Sequence, residues 1–158
     1  VNDVSAGRDP DMLRVVAEAG AGLVVMHMRG TPATMQADPR YDDVVGEVRD
    51  FLVERAGRAR AAGVAEVWID PGIGFGKTAA HNLSLLRHAG ALVETGLPVL
   101  VGTSRKGFLQ RLLGAPADDV LEGSLTTAVM AMQAGVAMVR AHDVGATVAA
   151  ARLVGAAA

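Results

Sequence analysis

Four short and almost unbroken apolar runs, residues 22–28, 67–70, 97–102 and 136–140, constrain this chain more than any other feature. A strand with one wet face alternates apolar and polar residues. Near-continuous runs imply strands covered on both faces, as in a parallel sheet flanked by helices. Val1 reads as the last residue of a further strand.

The intervening segments carry helical spacing. Across residues 42–62, Val44, Val45, Val48, Phe51 and Leu52 fall on one face, with Glu47, Arg49, Asp50 and Glu54 largely elsewhere. Leu83, Leu86, Leu92 and Val93 mark a second helix that Gly96 and Pro98 terminate. Leu121, Leu125, Val129 and Met132 mark a third, opened by Asp118-Asp119 and stopped by Gly135; shorter helices are expected over residues 10–19, 105–113 and 143–154.

Strand and helix thus alternate through five units, which calls for parallel strands joined by right-handed crossovers. An open doubly wound sheet and part of a (β/α)₈ barrel both satisfy that pattern, and five units cannot close an eight-stranded barrel. In either case the C-terminal strand ends converge on one ligand-binding face. Asn2, His27, Asp70, Ser104 and the pair Arg140 and His142 fall at or just beyond successive strand ends.

Composition narrows the chemistry. With 15 basic and 17 acidic residues and 3% aromatics, nothing favours nucleic acid. The absence of cysteine removes disulfides, thiolate metal sites and a cysteine nucleophile, and it accords with a cytoplasmic location. No apolar run approaches the roughly 18 to 20 residues that span a bilayer. Beginning at Val1 with no preceding structure, the chain is expected to start inside a larger domain.

The stretch Asp70-Pro71-Gly72-Ile73-Gly74-Phe75-Gly76-Lys77 joins a buried acid to a glycine-rich turn. It misses a phosphate-binding loop because Pro71 stands where the first glycine is needed, and its match to a dinucleotide fingerprint is loose. Asp70 suits either a cap on the following turn or a bidentate acceptor for a heterocycle with adjacent N–H donors. Thr103-Ser104-Arg105-Lys106 opens a short helix, as an anion site or an ordinary Ser/Thr cap. Arg140 and His142 share a side of a continuing strand and suit a pyrophosphate; alternatively Arg140 pairs with a neighbouring acid and His142 caps the last helix. His27 reads as a satisfied core residue, and His81 and His88 carry no assigned role.

Together with Asn2-Asp3-Val4-Ser5 and Met26-His27-Met28-Arg29-Gly30-Thr31-Pro32, these motifs resemble the dihydropteroate synthase family in order and across essentially the whole chain. One departure is Ala6, where that family usually carries glycine. The resemblance implies a (β/α)₈ barrel that condenses 6-hydroxymethyl-7,8-dihydropterin pyrophosphate with 4-aminobenzoate to 7,8-dihydropteroate and pyrophosphate, a target of sulfonamides. It implies that Asn2, Val4, Met26, Asp70, Gly102, Lys106 and Arg140 bind the pterin. Phe75 and Ser104 then border the aminobenzoate, Arg140 and His142 hold the pyrophosphate, and Lys106, Arg140 and His142 act in catalysis.

It also implies Mg²⁺ with its protein ligand upstream of Val1, and a cytoplasmic homodimer for the full-length protein. On that basis residues 1–158 form one incomplete domain of about five C-terminal βα units, strands 4 to 8, lacking the three N-terminal units. Alone, they are expected to be inactive and prone to associate through an open sheet. The rivals are the pterin-binding domain of a corrinoid methyltransferase, which has no aminobenzoate to hold, and a non-catalytic paralogue used for assembly.

Overall fold

The computed structural model describes residues 1–9, 11–116 and 119–156. Pro10 and Asp118, expected at the starts of two helices, lie outside the described residues. The order is β1 (Asn2–Asp3), α1 (Met12–Glu18), β2 (Leu23–Met26), α2 (Val44–Ala61), β3 (Val67–Asp70), α3 (Ala79–Arg87), α4 (Gly90–Val93), β4 (Leu100–Val101), α5 (Gly107–Leu113), α6 (Leu121–Gln133), β5 (Met138–Val139) and α7 (Val144–Ala156).

Strands β1, β2 and β3 pair in parallel, as do β4 and β5. A parallel bridge between Ile69 and Val99 joins the two groups, with the Ile69 N–H donating to the Pro98 carbonyl at 3.0 Å. Neighbours in space therefore follow chain order, without the reversal that defines a doubly wound sheet.

Register divides the strand residues between two faces. Leu23, Val25, Val67, Ile69, Val99 and Val101 belong to the main core, together with Val48, Leu52, Ala56 and Ala59 of α2 and Leu85 and Leu86 of α3. Because successive side chains alternate, Asn2, Val24, Met26, Trp68, Asp70, Leu100 and Met138 take the other face. Gly102 and Arg140 continue it, since the Arg140 N–H still donates to the Val101 carbonyl at 2.9 Å. This second face is incompletely covered, with Met138 45% exposed.

Helix termini follow local chemistry. The Asp43 carboxylate accepts the N–H groups of Val45 and Gly46 and caps α2, and Thr78 caps α3 in a reciprocal box with His81. Three expectations change. The second helix breaks into α3 and α4 at His88–Ala89, where the Ala89 N–H reaches back three residues to the Leu86 carbonyl and Gly90 follows. Helix α5 starts at Gly107 because Arg105 adopts φ +57°, a left-handed conformation that no right-handed helix can include.

The third change concerns α6. Its buried face is Ser124, Thr127, Ala128 and Ala131, whereas Leu121 is exposed and Leu125, Val129 and Met132 are half-buried. Small side chains let α6 approach α5 closely: a Cβ at Gly123 would lie 2.9 Å from Leu113 Cδ1. The two hydroxyls are satisfied inside the helix, Ser124 donating to the Val120 carbonyl at 2.8 Å and Thr127 to that of Gly123 at 2.7 Å.

Candidate active site

The turn after β3 is built around Asp70, which is 4% exposed and accepts the Gly72 N–H at 2.7 Å. The turn-capping role is thus real, and it engages one carboxylate oxygen. Gly72 adopts φ +66°, and a Cβ there would collide with the His27 carbonyl oxygen. Only glycine lets the turn press onto the end of β2. Met26 lies directly beneath, its Cγ 3.3 Å from that same Cβ position.

Burial lifts the Asp70 carboxyl to about 6, while the Gly72 N–H, Lys106, Arg140 and Lys77 favour its ionised form. Those cations come from the turns after three different strands. Lys106 Nζ stands 4.2 Å from the centroid of the Phe75 ring. Gly74 makes room for the Lys106 stem, with an added Cβ 3.1 Å from Lys106 Cδ. Burial, and then Arg140, hold the Lys106 ammonium below its ordinary pKa, with Asp70 opposing.

The turns after β4 and β5 lock together. Ser104 Oγ accepts the His142 N–H at 3.1 Å and lies 3.0 Å from His142 Nδ1. Arg105 makes a two-point pair with Asp143, Nη2 to Oδ1 at 2.7 Å and Nε to Oδ2 at 3.2 Å, so the acid beside Arg140 is engaged elsewhere. The Arg105 N–H donates to Ser124 Oγ at 3.1 Å. The cap position of α5 is Lys106 with no side-chain cap bond, so the ordinary Ser/Thr cap, one of the two readings of this segment, is not formed. Arg140 lies across Gly102, where a Cβ would sit 3.4 Å from Nε and Nη2.

Met26, Asp70, Phe75, Gly102, Lys106 and Arg140 are thereby gathered on one face, with Ser104 and His142 at its border. Asn2 and Val4 belong to the same side but stand two strands from Asp70, and both are exposed. His27 is a core residue as expected, 6% exposed, with Nδ1 2.9 Å from Lys77 Nζ. Burial, then the Lys77 charge, push its pKa down to about 3.

Two supporting residues escaped the sequence. Lys77 is 1% exposed. Asn82 is fully buried, its Oδ1 accepting the Gly74 N–H and its Nδ2 donating to the Thr78 carbonyl, both at 2.8 Å. A polar residue in an otherwise inward position of α3 was the available signal for Asn82. A groove of about 630 Å³ lies between α2 and α4 at Arg49, Glu54, Glu94 and Thr95, away from every strand-end motif. No cluster of three or more His, Cys, Asp or Glu suited to a metal ion occurs among the described residues.

Comparison with known proteins finds relatives that match nearly the whole chain. The chain is 42% identical to the dihydropteroate synthase of Escherichia coli (strain K12) over 156 residues, which cover 98% of the chain and 55% of that protein. Two structures of dihydropteroate synthase from Thermus thermophilus, in complex with 6HMPPP and with 4-aminobenzoate, each superpose with a TM-score of 0.94 at 45% identity over 98% of the chain. The chain covers 62% of the first and 64% of the second. It spans about half the length of the curated relatives it matches. The profile of the pterin binding enzymes runs over residues 1–142, through every strand-end motif from Asn2 to His142, and the chain belongs to that family.

Proposed function

We propose that residues 1–158 are one incomplete domain, the five C-terminal units of a (β/α)₈ barrel, and that the whole protein is a dihydropteroate synthase. Strand order without reversal supports a barrel wall. The observation that carries the function is a buried Asp70 facing Lys106 and Arg140, with Phe75 against Lys106. A pterin offers adjacent N–H donors to a carboxylate, a polar edge to an ammonium and a flat ring to a guanidinium. The complexes of the Thermus relative with 6HMPPP and with 4-aminobenzoate name ligands of these two kinds.

In this assignment Asp70 and Asn2 accept and donate at the pterin edge, and Val4, Met26 and Gly102 line its slot. Lys106 bonds the ring's polar edge. Arg140 lies over the ring and reaches the leaving group beside His142. The carbon–oxygen bond to pyrophosphate breaks with its electron pair leaving on oxygen. The aminobenzoate nitrogen then bonds the exposed methylene carbon and gives up a proton to solvent. Arg140 and His142 stabilise the departing polyanion, while Phe75 and Ser104 hold the arylamine in line. Ser104 and His142 already bond each other, so both substrate anions meet one linked pair.

Mg²⁺ is assigned on the resemblance alone, since no group of three or more His, Cys, Asp or Glu among the described residues is suited to hold it. A cytoplasmic homodimer is assigned on the resemblance, the absence of cysteine according with a reducing compartment. Equilibrium binding of radiolabelled 4-aminobenzoate to the intact protein, with pyrophosphate and a pterin present, tests the assignment. Saturable binding is expected, whereas a methyltransferase pterin domain would show none.

A further inference from the structure

Lys77 is a charged side chain that these roles leave unused. Its Nζ lies 2.9 Å from His27 Nδ1, 3.0 Å from the Phe75 carbonyl, 3.1 Å from the Gly72 carbonyl and 3.4 Å from the His27 carbonyl. An ammonium has only protons to offer. While Lys77 is protonated, His27 Nδ1 accepts, and the imidazole proton belongs on Nε2. A buried ammonium without partners is costly; here the carbonyls and the ring nitrogen supply acceptors. Burial draws Lys77 down to about 7 while Asp70 raises it.

Those acceptors come from two segments. His27 follows β2, and Gly72 and Phe75 belong to the turn after β3. The turn has other supports, Gln36 on the Gly74 carbonyl, Tyr41 on that of Gly76 and Asn82 on the Gly74 N–H, each at 2.8 Å. Lys77 ties the Gly72 and Phe75 carbonyls directly to the end of β2. Asp70, by contrast, is a member of β3 itself and is paired with Met26.

We propose that Lys77 is a positioning residue for the aminobenzoate half of the site: braced by His27 Nδ1, its ammonium fixes the Gly72 and Phe75 carbonyls and thereby the place where the Phe75 ring meets Lys106. The proposal rests on the synthase assignment above. Pterin contacts depend mainly on the strand, and Lys77 is the smallest of the influences that favour the ionised Asp70. Aminobenzoate contacts depend on the turn that Lys77 holds.

The test is steady-state kinetics of Lys77→Met in the intact enzyme, a substitution that keeps the apolar stem and removes the donors. The aminobenzoate KM is expected to rise about tenfold while the pterin pyrophosphate KM changes by less than about threefold. A lowered kcat with both KM values unchanged is what a merely structural lysine gives, and it overturns the proposal. If Lys77→Met does not fold, Lys77→Arg carries the same comparison with the same deciding results, because a planar fork cannot aim at the same carbonyls. Nitrogen-15 NMR of histidine-labelled wild-type protein reads the brace without substrate. At about pH 6, where Lys77 is mostly an ammonium and His27 is neutral, a bare Nδ1 and protonated Nε2 are expected, and a protonated Nδ1 overturns the proposal. Lack of condensation by the wild type would overturn the synthase assignment and the positioning role with it, and the tautomer distinguishes that failure from a failure of the brace.

Discussion

Asp70 and His27 respond to acid in opposite senses. Asp70 has its pKa raised from 3.8 to about 6, so over that window the folded protein holds the extra proton and acidification favours folding. His27 is lowered from 6.5 to about 3, so the unfolded chain holds the extra proton and acidification favours unfolding. The two nearly cancel between pH 3.8 and 6. Asp70→Asn leaves His27 unopposed, and urea unfolding of that variant is expected to show stability falling more steeply from pH 6 to 4, by up to about 1.4 kcal/mol per pH unit. An unchanged slope would refute this balance. The substitution also removes a carboxylate acceptor, and pterin affinity is expected to fall by about a hundredfold. Asp70 was legible because an acid ending an apolar run is conspicuous. Lys77 was not, since its acceptors are backbone carbonyls and a histidine, which sequence does not display as partners for a cation.

At the scale of elements, the apolar runs announced β3 to the residue and enclosed the shorter β2, because strands covered on both faces leave no alternation to misread. The α6 face was misread, and hydroxyl chemistry explains it. Ser124 and Thr127 bond their own helix and can be buried, while the leucine stripe remains partly open. Ala131→Leu is accordingly expected to destabilise by about 1–3 kcal/mol through overpacking, and Leu121→Ala by less than about 1 kcal/mol. Chemical denaturation distinguishes these outcomes, and the reverse ranking would restore the leucine face. The glycine turn makes a sharper demand. Gly72→Ala forces a methyl group onto the His27 carbonyl at φ +66°, and a loss of at least about 3 kcal/mol is expected in the same measurement. Arg105, left-handed at φ +57°, could not be foreseen, because its conformation is fixed by Ser124 and Asp143 from distant segments.

For the whole molecule, the five parallel strands present a face of strand-end polar groups and an incompletely covered apolar surface. Met138 is 45% exposed, and Val148 and Leu153 of α7 are 44% and 74% exposed. Residues 1–158 prepared alone are therefore expected to self-associate, seen as mass growth with concentration in light scattering, and to give no turnover. A concentration-independent monomer with synthase activity would contradict that expectation. For the intact protein, the deciding measurement is condensation of dihydropterin pyrophosphate with radiolabelled 4-aminobenzoate. Dihydropteroate and pyrophosphate are predicted in equal amounts, with turnover abolished by Arg140→Met and by Lys106→Met. Pterin binding without incorporation of the label, or turnover that survives both substitutions, would refute the synthase assignment.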